Sequence, residues 1–237
     1  MTTAIIIAGG SGSRMGQDIP KQFINVYDKP ILIYTLEGFQ KHPQVDAIEV
    51  VCIDGWHDVV WAYAKQFNIT KLKWIVAGGE TGQDSIFNGL KKLVEEAPED
   101  TIVMVHDGNR PMVSQQIISD SLATFYRCGS AVAVIPCTEV VFESDDGISS
   151  NVSTERERLF RTQTPHTYRL KELYDAHIEA GKRGIRGTAA SCMLMKELGK
   201  TTWFSKGSEE NLKITTLDDL RIFKALLHTS QDNWIKE

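Results

Sequence analysis

The sequence predicts an α/β fold in which a mostly parallel sheet is wrapped by helices on both faces. Short apolar, largely β-branched runs at 4–8, 47–53, 72–77, 101–105 and 131–136 have the length of buried strands. Segments with apolar residues at helical spacing alternate with them, which is the pattern of parallel strands joined by crossover helices. The first run also empties into a glycine-rich turn, and open parallel sheets receive their ligands beyond the carboxyl ends of their strands.

That turn, Ala8-Gly9-Gly10-Ser11-Gly12-Ser13-Arg14-Met15-Gly16, is followed at once by Pro20-Lys21-Gln22-Phe23. Glycines expose successive backbone N–H groups without a Cβ in the way, and such a nest holds anionic oxygens. Arg14 and Lys21 add two cations, so the loop is suited to a nucleoside triphosphate. Spacing excludes two other phosphate loops. A dinucleotide fingerprint starting at Gly10 and Gly12 needs its third glycine where Met15 stands, and a Walker loop ending in Gly199-Lys200-Thr201 needs its first glycine where Leu194 stands. A ligand-free glycine turn is the bland alternative, which the two cations disfavour.

Pro30 with Ile31, Leu32, Leu36 and Phe39 predicts a helix stopped near His42-Pro43. A second helix is expected over 56–68. Gly78-Gly79-Glu80-Thr81-Gly82-Gln83-Asp84-Ser85 then opens a helix carrying Ile86, Leu90 and Leu93. The free N–H groups there could meet a base or a phosphate, or the segment could be only a strand-to-helix turn. The fourth strand delivers His106-Asp107-Gly108-Asn109-Arg110-Pro111 to the same edge as the first turn. Asp107 there can pair with Arg110 or hold a magnesium ion, while a helix-capping aspartate beside a surface arginine is as probable from this segment alone.

After the fifth strand, Val140-Val141-Phe142, the turn around Asp146-Gly147 and the run to Arg158 predict a two-stranded arm, and an arm of this kind needs a packing partner, which points to a homodimer. Helices are expected at 170–180 and from Thr188 to Leu198. Asn211-Leu212-Lys213-Ile214-Thr215 reads as a short strand whose Lys213 either reaches solvent or meets an anion. Thr216-Leu217-Asp218-Asp219 matches a capping box ahead of a last helix.

Composition narrows the function. With 42% hydrophobic and 24% charged residues over 237 positions, the chain can bury an ordinary core. No run of about 18 apolar residues or cleavable leader is present, so a cytoplasmic protein with no membrane partner is expected. A net charge of −5 argues against a broad nucleic-acid surface. The four cysteines lack metal or disulfide spacing and the six histidines are dispersed, so any metal would be a hard cation held by oxygens.

Taken in order, Ala8-Gly9-Gly10-x-Gly12-x-Arg14-Met15, Pro20-Lys21-Gln22, Gly78-Gly79 with Asp84-Ser85, His106-Asp107-x-x-Arg110-Pro111, Gln163-Thr164-Pro165 and Asn211-Leu212-Lys213-Ile214-Thr215 resemble a known set. From first strand to last helix the chain is similar to the methylerythritol-phosphate and ribitol-5-phosphate cytidylyltransferases, the IspD/TarI family. The resemblance implies a three-layer, Rossmann-like nucleotidyltransferase fold spanning 1–237 as one domain, with a β-arm over 138–158 used for dimerisation. It implies CTP and a small polyol phosphate as substrates and Mg²⁺ or another divalent cation as cofactor. Carried over by residue, Ala8, Gly9, Gly10, Ser11, Gly12 and Ser13 would line the nucleotide's phosphates and ribose, with Gly79, Glu80 and Ser85 against cytosine. Arg14 and Lys21 would stabilise charge at the α-phosphorus. Asp107 would contact the metal or the acceptor, with Arg110 beside it. Arg156, Thr164, Thr188 and Lys213 would hold the acceptor's phosphate, Arg156 from the other subunit's arm.

Departures from the methylerythritol pattern lie nearer the acceptor or the outer cytosine pocket than the reacting phosphorus: Gly82 in place of Arg, Gly108-Asn109 in place of Ala-Ala or Ala-Val, Val140 in place of an arm Thr, and Ala189-Ala190 in place of an acidic element. Gly187-Thr188, the small residues after it and Cys192 lean toward an alditol phosphate such as ribitol 5-phosphate. The short spacing from Met15 to Pro20 leans toward methylerythritol 4-phosphate. A nucleotide-binding module without turnover and a pyrophosphorylase for another nucleotide are the competing readings.

Overall fold

The structure, a computed structural model, describes residues 1–10 and 19–229. Its centre is a seven-stranded sheet in the order β11-β7-β10-β6-β1-β4-β5. The strands are β1 (Thr2–Ala8), β4 (Ala47–Cys52), β5 (Leu72–Ala77), β6 (Ile102–Asp107), β7 (Ala131–Pro136), β10 (Phe160–Arg169) and β11 (Phe204–Lys206). β1 pairs in parallel with β4 and β6, and β10 alone runs antiparallel to its neighbours β6 and β7.

Alternation along β1 explains the layering. Ala4, Ile6 and Ala8 join one apolar cluster and Ile5 joins another, because successive side chains leave opposite faces of a strand. The first cluster packs beneath α1 (Ile31–Lys41), α2 (His57–Gln66) and α4 (Gln115–Cys128). The second lies under α3 (Gly82–Glu96), α5 (Leu170–Lys182) and α6 (Ser191–Glu197). A third, smaller cluster seats α7 (Leu217–Thr229) through Phe223, against Ile31, Ile214 and Val26 of the little ribbon β2 (Asn25–Val26) and β3 (Lys29–Pro30).

Local chemistry sets the ends of these elements. α3 begins with a reciprocal capping box, the Thr81 hydroxyl accepting from Asp84 N and the Asp84 carboxylate from Thr81 N. α7 begins the same way, Thr216 Oγ1 accepting from Asp219 N and Asp219 Oδ2 from Thr216 N, as its sequence anticipated. The arm is a hairpin of β8 (Val141–Glu143) and β9 (Val152–Thr154), whose turn is gathered by the Asp146 carboxylate accepting from the N–H groups of Ile148 and Ser149. Val140, Phe142 and Ile148 stand exposed along it.

Two expectations are corrected, and three elements are new. The helix expected from Thr188 is shorter and starts at Ser191, because Gly187 takes φ +67° and the chain before it is held as a loop. The stretch 211–215 is no strand. The Ile214 N–H donates to Asn109 O and the Asn211 carbonyl accepts from Arg110, so its backbone groups are satisfied by a neighbouring loop rather than a ladder. And α4, β10 and β11 were not anticipated. β10 crosses the sheet antiparallel with a proline inside it, so its sequence lacks the continuous apolar run of the parallel strands.

Candidate active site

The carboxyl ends of β1 and β6 open into a cleft of about 620 Å³. At the β1 end, Gln22 is almost fully buried, and its amide nitrogen donates to the carbonyls of Ala8 (2.6 Å) and Gly10 (3.1 Å). A side chain from the single-turn helix at Lys21–Phe23 thus ties down the entry to the glycine turn, and Lys21 beside it lines the cleft.

The second wall is the turn between β5 and α3. The Ser85 hydroxyl accepts from Gly79 N (3.0 Å) and donates to Thr81 O (2.9 Å), folding 79–81 over the start of α3. The fold is tight enough that a Cβ on Gly79 would lie 2.4 Å from Asp84 Cβ. Only glycine fits there.

The third wall carries the charge. Asp107 Oδ2 accepts from Arg110 Nε and its Oδ1 from Lys213 Nζ, both at 2.9 Å. Burial by itself would raise this carboxyl, but Lys213 and Arg110 override it and hold Asp107 well below the usual carboxylate range. Asp107 is therefore an anion with two cations on it, and Lys213 does meet an anion, supplied by the protein itself. The Thr164 hydroxyl accepts from Asp107 N (3.0 Å), so its own proton goes to His106 Nδ1 (3.0 Å). His106 must then carry its proton on Nε2, from which it donates to Arg110 O (3.2 Å). Burial pushes this imidazole down to about 4, so it stays neutral and rigid behind Asp107.

Lys213 sits on a segment with no ladder of its own, and side chains brace it. Asn211 donates to Thr164 O (2.9 Å) and to the side chain of Gln163 (3.2 Å), Arg110 donates to Asn211 O (2.7 Å), and the Asn109 amide donates to Ile214 O. With Nε on Asp107 and one terminal nitrogen on Asn211, Arg110 acts first as a brace.

Of the residues expected from sequence, Ala8, Gly9, Gly10, Lys21, Gly79, Glu80, Ser85, Asp107, Arg110, Thr164 and Lys213 all line this one cleft. Ser11, Gly12, Ser13 and Arg14 lie outside the described residues. Thr188 stands next to the cleft wall formed by Ala189 and Ala190, with its hydroxyl donating to Gln83 Oε1. Arg156 is on the arm, bonded to Glu157 (3.1 Å) and Thr138 O (3.4 Å), and does not line its own chain's cleft. Sequence reasoning did not single out Gln22, Gln83, Asn109, Gln163 or Asn211 as supports. Their amides act on backbone groups distant in sequence, which no local pattern announces. Among the described residues no three His, Cys, Asp or Glu side chains gather into a metal cage.

The family model described as IspD, 2-C-methyl-D-erythritol 4-phosphate cytidylyltransferase, matches residues 2–229. The chain belongs to this family. The IspD family's activity is nucleotidyl transfer from CTP, so the protein is a cytidylyltransferase. A ribitol-5-phosphate cytidylyltransferase of Lacticaseibacillus paracasei is 42% identical over 98% of this chain and 100% of its own. A 2-C-methyl-D-erythritol 4-phosphate cytidylyltransferase of Clostridium acetobutylicum is 40% identical over 96% of this chain and 97% of its own. Among solved structures, the 4-diphosphocytidyl-2C-methyl-D-erythritol synthase of Anaerococcus prevotii superposes with a TM-score of 0.82, covering 96% of each chain at 23% identity. The Francisella tularensis IspD enzyme gives 0.78, covering 94% of this chain and 98% of its own at 27% identity. These two agree with the mostly parallel sheet described above. No helix among the described residues is long and apolar enough to cross a membrane.

Proposed function

We propose that the protein joins CTP to ribitol 5-phosphate, or a closely related alditol phosphate, giving a CDP-alditol and diphosphate. One observation carries the reading: Gly9, Gly10 and Lys21 face the same cleft as Asp107 and Lys213, so two phosphate-bearing substrates have a common place to meet. The glycine turn receives the triphosphate through backbone N–H groups and the turn at Gly79–Ser85 receives cytosine. Lys213 and Thr188 receive the acceptor's phosphate, while Thr164, expected beside them, keeps its hydroxyl proton on His106 and supports Asp107 from behind.

The chemistry asks little of an acid or base. An acceptor phosphate oxygen is already an anion and attacks the α-phosphorus as the bond to diphosphate breaks, so no proton need be removed from the nucleophile. Lys21 and Arg14 offset the charge that grows on the α-phosphate, and the walls hold the partners in line. A divalent cation suits this donor set. Magnesium commonly takes one or two carboxylates plus substrate phosphates, and Asp107 keeps lone pairs beyond those used by Lys213 and Arg110. When bound it would neutralise charge on the phosphates and the departing diphosphate.

The acceptor assignment rests on the small side chains Gly82, Ala189 and Ala190 at the cleft and on the full-length likeness to ribitol-5-phosphate enzymes. The likeness to the Clostridium acetobutylicum enzyme keeps methylerythritol 4-phosphate as the second reading. The exposed apolar arm supports homodimerisation, with Arg156 reaching the partner's cleft. A diphosphate-release assay with CTP against ribitol, glycerol, arabinitol and methylerythritol phosphates decides among these. Ribitol 5-phosphate should give the highest kcat/KM. Preference for methylerythritol 4-phosphate would reverse the assignment, comparable turnover with UTP, ATP or GTP would remove CTP specificity, and CTP binding without turnover on any acceptor would reduce the protein to a binding module.

A further inference from the structure

The loop between α5 and α6 has no regular structure, yet it supplies part of the cleft wall through Ala189 and Ala190. It contains two left-handed glycines, Gly184 (φ +70°) and Gly187 (φ +67°). What gives it shape is one side chain from across the cleft. Gln83, in the first turn of α3, donates through Nε2 to Ile185 O (3.1 Å) and accepts through Oε1 from Thr188 N (3.0 Å) and Thr188 Oγ1 (3.1 Å). Its amide spans the ends of the turn Ile185–Thr188 as a backbone amide would, closing it from outside.

Gln83 also belongs to the segment that forms the opposite wall, since it lies between Gly82 and Ser85, both on the cleft. One amide therefore joins the wall proposed for cytosine to the wall proposed for the acceptor. The two bonds on its oxygen differ in kind. The Thr188 N–H is fixed by the backbone, whereas the Thr188 hydroxyl can rotate away without moving the loop. A phosphate has only acceptors to offer, so a hydroxyl already donating to Gln83 must turn to serve it.

We propose that Gln83 is a positioning residue for the acceptor: it fixes the 185–190 loop through the backbone and holds the Thr188 hydroxyl until the acceptor's phosphate takes that hydrogen bond. This deepens the reading above and rests on it for the identity of the acceptor site. The role is distinct from binding, because Gln83 bonds the loop and is not itself part of the cleft lining.

Wild-type protein is assayed first with CTP and ribitol 5-phosphate. Absence of any diphosphate release would defeat the functional reading itself. With wild type active, Gln83→Met keeps the length of the side chain and removes all three hydrogen bonds. It should raise the acceptor's KM about tenfold, the order expected for releasing a loop from its fixed hydrogen bonds, with the KM for CTP and kcat within twofold. Thr188→Val should raise the same KM, and the double variant should be no worse than the poorer single one, because each acts through the other. An unchanged acceptor KM in Gln83→Met, equal rises for both substrates, or additive effects in the double variant would each overturn the assignment. Should Gln83→Met melt below the assay temperature, Gln83→Glu, which retains both acceptor bonds and loses only the donation to Ile185 O, replaces it. It should raise the acceptor KM alone, and a KM equal to wild type would overturn the proposal.

Discussion

Lys21 and Lys213 face the same cleft, yet they are asked to do different things. In the proposed reaction Lys21, beside the glycine turn, offsets the charge that grows on the α-phosphate, and Lys213, paired with Asp107, meets the acceptor. Lys21→Ala should therefore lower kcat by about two to three orders of magnitude, the usual cost of removing one preorganised transition-state contact. Its KM for CTP should move only severalfold. Steady-state kinetics at saturating acceptor checks this, and a loss confined to CTP affinity would assign Lys21 to ground-state binding. At this scale the sequence was informative about charged residues and glycines, because the chemistry demands them. It was silent on the neutral amides. Gln22 reads as one more polar residue in a motif, and nothing local says that it will be buried and serve Ala8 and Gly10.

At the scale of elements, the turn between β5 and α3 tolerates little change. Gly79→Ala forces its new methyl against Asp84 in the capping box of α3, and that contact is with the first helical turn and cannot swing aside. The variant should fold, lose about 1–3 kcal/mol of stability, and bind CTP at least tenfold more weakly by calorimetry. Unaltered CTP affinity would mean this turn does not contact the nucleotide. The parallel strands and the capped helices were legible because apolar runs and capping residues are local signals. The segment at 211–215 was misread for an equally physical reason. Its alternating pattern resembles a strand, but the partners that satisfy its backbone are Asn109 and Arg110, about a hundred residues away in sequence. β10 escaped notice because a proline and several polar residues interrupt it.

For the molecule as a whole, two features make predictions. Glu49 on β4 is fully buried beside Gly89, neither oxygen has a hydrogen-bond partner among the described residues, and burial pushes its carboxyl up to about 9. Because the folded value lies above the unfolded one, the protein is most stable with respect to this group below about pH 4.5. That contribution is lost as pH rises toward 9. Glu49→Gln should leave the melting temperature at pH 5 little changed and raise stability at pH 8.5 by at least about 1 kcal/mol. Parallel melting curves for the two proteins across this range would show that Glu49 is solvated. The opposite limb comes from His106, His166 and His177, which burial lowers to about 4, so stability falls as pH drops from 6.5 toward 4.

The arm supplies the second molecular prediction. If Arg156 serves the partner's cleft, Arg156→Ala and Lys21→Ala should each lose nearly all activity alone. Mixed and allowed to exchange subunits, they should recover roughly a quarter of wild-type activity, since random pairing leaves one intact site in half the dimers. No recovery, with dimers demonstrated by light scattering, would place Arg156 in its own chain's site, and wild-type activity in Arg156→Ala alone would place it outside catalysis.

The contact between Lys213 and Asp107 has a bearing on which molecules can use this cleft. The ammonium already spends one of its three N–H donors on a carboxylate before anything enters, so a newcomer meets a cation whose charge is partly offset. A doubly charged phosphomonoester still gains strongly from the remaining donors, whereas the same sugar alcohol without its phosphate brings no charge to compete with the aspartate. On the proposed function, discrimination against free alditols would then begin in the resting protein, before catalysis.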